Sequence, residues 1–65
     1  MATVRIDCRN RSTFVSVFTY LTEPTCIVAY PQERTFIISE GNVKIMADYL
    51  KSIGLDMNNV DIYEL

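Results

Sequence analysis

Residues 12–24 read STFVSVFTYLTEP, and two incompatible structures fit them. Phe14, Val17, Phe18 and Leu21 recur at i, i+3, i+4 and i+7, the spacing of one helix face. Most residues of the stretch favour strands instead, because β-branched and aromatic side chains lose rotamer freedom against a helical turn. Ser12 is a candidate N-cap and Pro24 a candidate stop. Together they select a helix that places Phe14, Val17, Phe18 and Leu21 toward a core. The competing strand would give a β-meander packed on a single C-terminal helix.

The flanking segments support the helix. ATVRIDC, residues 2–8, alternates Ala2, Val4, Ile6 and Cys8 with Thr3, Arg5 and Asp7, as a half-buried strand does. TCIVAY (25–30) and TFIIS (35–39) are strand-like and joined by the turn-forming tetrad PQER (31–34), which predicts a hairpin. Beyond Gly41, Val43, Met46, Ala47, Leu50 and Ile53 form an apolar stripe. Asn42 can cap its start, and Gly54 followed by Leu55 fits a Schellman stop. NVDIYEL (59–65) closes the chain as a strand, with Val60 and Ile62 on one face and Asp61 and Tyr63 on the other.

The halves also echo one another. Phe18-Thr19-Tyr20-Leu21 resembles Ala47-Asp48-Tyr49-Leu50, and Ile27-Val28-Ala29-Tyr30 resembles Val60-Asp61-Ile62-Tyr63. The order β-α-β-β-α-β, as two right-handed β-α-β units in one sheet, predicts a single α+β domain over 1–65. Its expected form is a ferredoxin-like sandwich, a four-stranded antiparallel sheet in the order 4-1-3-2 with two helices on one face.

Sixty-five residues, 49% of them hydrophobic, make one small folded domain with a thin stability margin. No apolar run approaches the roughly 18 residues of a membrane span, and the N-terminus lacks a basic segment followed by an apolar core. The expectation is a cytoplasmic protein without membrane attachment, with Cys8 and Cys26 as free thiols. The net charge of −2 argues against broad attachment to nucleic acid.

Catalytic chemistry finds little to work with. The chain has no histidine, hence no imidazole base, metal ligand or cysteine-histidine pair. Cys8 and Cys26 lack metal-finger spacing, and no glycine-rich phosphate loop exists, so no catalytic residue, metal or cofactor is expected. Cys8 is read as a core-facing strand end. Asp7, Glu40, Asp56 and Asp61 are read as solvated charges, and Tyr20, Tyr30, Tyr49 and Tyr63 as core and interface packing rather than base-stacking platforms.

Two candidate surfaces remain. The segment DCRNRST, residues 7–13, joins the first strand to the first helix, and the topology brings it beside the hairpin turn. That gathers Arg9, Arg11 and Arg34 with Ser12 and Thr13 at a basic pole, a candidate site for an anion or an acidic partner. Residues 1–39 carry +1 and residues 40–65 carry −3, and the opposite end collects Glu23, Glu40 and Glu64. The second surface is the strand CIVAY (26–30), an edge strand apolar on both faces, where a monomer normally places charge or proline. Cys26, Val28, Tyr30 and Tyr63 are its candidate interface residues. The leading functional expectation is a non-enzymatic protein-interaction module, an adaptor, inhibitor or regulatory subunit of a size suiting a viral or prokaryotic regulator. It would act as a homodimer or with a protein partner. The alternative is an anion, small-ligand or nucleic-acid binder using the basic pole.

Overall fold

A computed structural model of the chain describes residues 2–21 and 27–65. Strand β1 (Ala2–Cys8) leads to helix α1 (Arg11–Tyr20), then to the hairpin strands β2 (Ile27–Tyr30) and β3 (Thr35–Gly41). Helix α2 (Val43–Ser52), a 3-10 turn over Met57–Asn59 and strand β4 (Val60–Glu64) complete the chain. The four strands form one sheet in the order β2-β3-β1-β4, with every neighbouring pair antiparallel. The molecule is therefore an α+β domain, and the meander alternative is excluded by the helix at 11–20. Among the described residues no helix is long and apolar enough to cross a membrane.

Pairing of β1 between β3 and β4 makes it an interior strand, and its alternation is reproduced by burial. Val4 and Ile6 have no exposure and Cys8 very little. They pack in one cluster with Phe36, Ile38 and Val60 from the neighbouring strands, Phe14, Val17 and Leu21 from the α1 side, and Leu50 from α2. Both helices thus cover one face of the sheet. Phe14 stacks on Phe36 with ring centroids 4.6 Å apart, nearly parallel. This burial decides the contested segment, because three apolar side chains on one helical face outweigh propensities worth a few tenths of a kcal/mol each.

Two details of α1 differ from expectation. Its N-cap is Asn10, not Ser12: Asn10 is extended at φ −138°, and its Oδ1 accepts the Thr13 amide at 2.8 Å. Asn ranks with Ser as a cap, and starting the helix at Arg11 keeps Phe14, Val17 and Leu21 on the buried side. Phe18 is not a core residue. It is half exposed and meets Phe14 and Phe36 only at tilted, 6.3–6.4 Å ring separations. At 100° per residue the buried arc centres between Val17 and Leu21, which leaves Phe18 on its flank. Pro24, read as the helix stop, lies outside the described residues.

Helix α2 follows the sequence reading closely. Asn42 Oδ1 accepts the Ile45 amide at 3.1 Å. At the other end Gly54 adopts φ +87°, Leu55 N–H donates to Leu50 carbonyl at 3.2 Å, and Gly54 N–H donates to Lys51 carbonyl at 3.1 Å. Those two bonds define a Schellman motif. Gly41 has a role beyond marking a helix boundary. It sits opposite Ala2 where the β1–β3 register is irregular, and a Cβ there would come within 2.8 Å of Val4 Cγ2. The internal echo is spatial as well: Leu21 and Leu50 are both buried, Tyr20 and Tyr49 both exposed, and Tyr49 OH donates to Tyr20 carbonyl at 3.3 Å.

Candidate functional site

The sheet face not covered by helices carries a bonded network of side chains. Period-two alternation aims Arg5 and Asp7 of β1 outward, and the registers bring Thr35 opposite Asp7 and Tyr63 opposite Arg5. Asp7 accepts three side-chain hydrogen bonds: Arg5 Nε at 2.9 Å and Thr35 Oγ1 at 2.8 Å on Oδ1, and Tyr63 OH at 2.8 Å on Oδ2. The Arg5 guanidinium lies 5.9 Å from the Tyr63 ring centre, within cation–π range. Three strands, β1, β3 and β4, are tied together through one carboxylate.

The ionisation of these groups follows from that geometry. Burial pushes Asp7 upward, but the hydrogen bonds from Arg5, Tyr63 and Thr35 and the Arg5 charge outweigh it and hold the carboxyl below its ordinary value. The same contacts raise Arg5, first through its hydrogen bond to Asp7 and then through the charge. Tyr63 is raised because its hydroxyl donates to Asp7, a bond the phenolate cannot make. Asp7 is thus an organised acceptor rather than the solvated charge expected of it. Cys8 faces the core, and burial first, then the nearby Asp7 charge, pushes its thiol up to about 11.

Around the network the face is apolar and aromatic. Val28, Tyr30 and Tyr63 are 50%, 45% and 39% exposed, and Ile37 is half buried beside Val28. Strand β2 forms an edge of the sheet, with Ile27 and Ala29 packed against the core and Val28 and Tyr30 turned out. Cys26, the remaining candidate of this surface, lies outside the described residues. None of the four tyrosines is buried; they belong to the surface, not to core packing.

The basic-pole residues separate into distinct settings. Cys8 N–H donates to Arg34 carbonyl at 2.9 Å and Arg9 N–H to Asn59 carbonyl at 2.8 Å, so the α1 start, the β2–β3 turn and the turn before β4 share one end. Arg11 and Arg34 line a common groove there, whereas Arg9 does not. Ser12 is exposed; Thr13 is buried and its amide is already bonded to Asn10. The turn before β4 adds a carboxylate at this end: Asp56 Oδ1 accepts the Asn58 amide at 3.0 Å. Sequence reading missed the Asp7 network because it depends on which β3 residue lies opposite Asp7 and which β4 residue lies opposite Arg5. The outward alternation of Arg5 and Asp7 was the available signal.

The described residues hold no group of three or more histidine, cysteine or acidic side chains placed for a metal. The fold and this face define a small α+β domain with an ordered, partly apolar open sheet. Comparison with family models, with curated proteins and with solved structures finds no match.

Proposed function

We propose that this chain is a protein-interaction module of ferredoxin-like architecture, acting as an adaptor, inhibitor or regulatory subunit and engaging partners through the open sheet face and the β2 edge. The order β2-β3-β1-β4 with both helices on one face supports the architecture. The observation that carries the function is exposure of Val28, Tyr30 and Tyr63 around a side-chain network that already fixes Arg5 and Tyr63. Tyrosine and arginine dominate interface energetics, and side chains held before binding lose less entropy on binding. An edge strand carrying apolar residues on both faces, without charge or proline in Ile27–Tyr30, is the kind of edge that another chain pairs with.

The partner of first choice is a second copy. A standard interface takes about 800 Å² per partner, under a fifth of the 4364 Å² surface, which the open face and edge of one small domain can supply. Light scattering coupled to size exclusion tests it: a two-chain mass is expected at high micromolar concentration, reverting to one chain in Val28→Lys and Tyr30→Lys. A one-chain mass at every concentration overturns the homodimer. If these substitutions then also leave the set of co-purifying proteins unchanged, the interaction surface is elsewhere.

A further inference from the structure

The β2–β3 turn, residues 31–34, and the first turns of α1 enclose a groove of about 380 Å³ lined by Arg11, Phe14, Val15, Pro31, Gln32 and Arg34. Two arginines line it from separate elements, Arg11 from α1 and Arg34 from the turn. The apolar part combines a rigid base, Phe14, buried and stacked on Phe36, with the exposed Val15 and Pro31. Among the described residues no carboxylate lines the groove, and the Arg5–Asp7 salt bridge lies on the open sheet face. Glu33, the carboxylate next to Arg34, lines a separate depression with Arg5, Tyr30, Thr35 and Ile37. The turn thus sends its acid to one side and its base to the other. Arg34 holds φ +54°, a backbone region uncommon for residues other than glycine.

We propose that this groove docks a short acidic-apolar peptide segment of a partner protein. Its aspartate or glutamate carboxylates would meet Arg11 and Arg34, and an adjacent aliphatic or aromatic side chain would rest on Phe14, Val15 and Pro31. Charge complementarity selects the occupant: a chain of net charge −2 concentrates two cations, uncountered by described residues, on an apolar base. Guanidinium forks match carboxylates in two-bond geometry. The volume lies at the low end of ligand sites, suited to one or two side chains. Two arginines are too few to hold a nucleic-acid backbone, whose affinity grows with each phosphate neutralised. The site is separate from the open face and needs no self-association.

The test is a titration of the ¹⁵N-labelled chain with the blocked peptide Asp-Leu-Asp-Leu-Asp, alongside its all-Asn counterpart and an oligothymidylate of equal charge. Amide shifts are expected at Arg11, Phe14, Val15, Gln32 and Arg34, weakening with added salt, with the Asn peptide binding less tightly. Arg11→Gln and Arg34→Gly should each lower affinity about two- to fivefold, the range of an exposed ion pair, and together about tenfold. Glycine suits the positive φ at 34, so lost binding there does not report misfolding. Val28→Lys should leave the affinity unchanged, which separates this site from the open face. Shifts centred elsewhere, equal binding of the Asn peptide, or indifference to both arginine substitutions overturn the proposal. Tighter binding of oligothymidylate than of the Asp peptide would replace the acidic peptide with a nucleic acid.

Discussion

Asp7 lies directly opposite Asp61 in the β1–β4 register, a like-charge pairing that antiparallel sheets disfavour. The three donors on Asp7 explain how it is tolerated. Their number also makes the residue testable. Asp7→Asn keeps an acceptor for Thr35 but loses the charge that holds Arg5 and Tyr63, and should cost about 1–2 kcal/mol, the range of hydrogen bonds to a charged group discounted for partial exposure. A domain of this size would then melt several degrees lower. Because the folded-state pKa of Asp7 lies below its unfolded value, its contribution is present above the ordinary carboxylate pKa and is lost as pH falls through the lower folded value. Urea unfolding of the parent should therefore show an acid-side decline, below about pH 5, that is shallower in Asp7→Asn. Cys8 has the opposite sign. Its pKa rises from 9.0 to about 11 on folding, so its contribution is intact below pH 9 and about 2–3 kcal/mol is lost as pH climbs past both values. Cys8→Ala, though less stable at neutral pH, should lose less further stability between those limits. Alternation along β1 alone makes the orientations of Asp7 and Cys8 legible in the sequence. What Asp7 bonds to was not legible, since that information resides in the pairing register with residues 28 and 56 positions away.

Helix α1 shows where a periodicity argument holds and where it fails. The i, i+3, i+7 positions Phe14, Val17 and Leu21 are buried, and their burial forces helix on a strand-prone segment. The i+4 position, Phe18, satisfies the same pattern but stands at the rim, because a helix on a sheet buries a narrower arc than the apolar residues of this one span. Two phenylalanines in van der Waals reach of Phe36 should thus differ sharply on truncation. Phe14→Ala removes a stacked, buried ring and should cost about 3–5 kcal/mol, enough to unfold much of the population, whereas Phe18→Ala should cost about 1 kcal/mol. Thermal denaturation of the pair checks this, and equal costs would refute the assigned helix phase. The cap at Asn10 is hidden in the sequence for a related reason: Asn10, Ser12 and Thr13 all carry capping side chains, and packing of Phe14 against Phe36 favours the start that follows Asn10. Strand β3 ends on a tighter constraint. Gly41→Ala would drive a methyl against the buried Val4 and should destabilise by about 1–3 kcal/mol as overpacking does.

The whole molecule divides its surface by chemistry. One sheet face is covered by both helices, the other holds a charged and aromatic network, and one end pairs Arg11 with Arg34 across a groove. Strand order and the shared end were legible because each follows from the order of elements and from short connections. The partition of the three arginines was not, since it depends on the backbone of the β2–β3 turn, where Arg34 takes a positive φ and Glu33 and Arg34 line different depressions. A consequence at this scale is thermodynamic. A domain of 65 residues has little stability to spare, so self-association through the open face would supply part of it by mass action. Each tenfold rise in concentration stabilises a dimer by about 1.4 kcal/mol. Half of that falls to each chain, which for a domain this small raises the melting temperature by a few degrees. Melting curves from micromolar to high micromolar concentration should therefore climb for the parent and stay level for Val28→Lys. Identical, flat melting temperatures in both proteins would show that each chain folds without help from a second copy, and would take from the open face its proposed role in self-association.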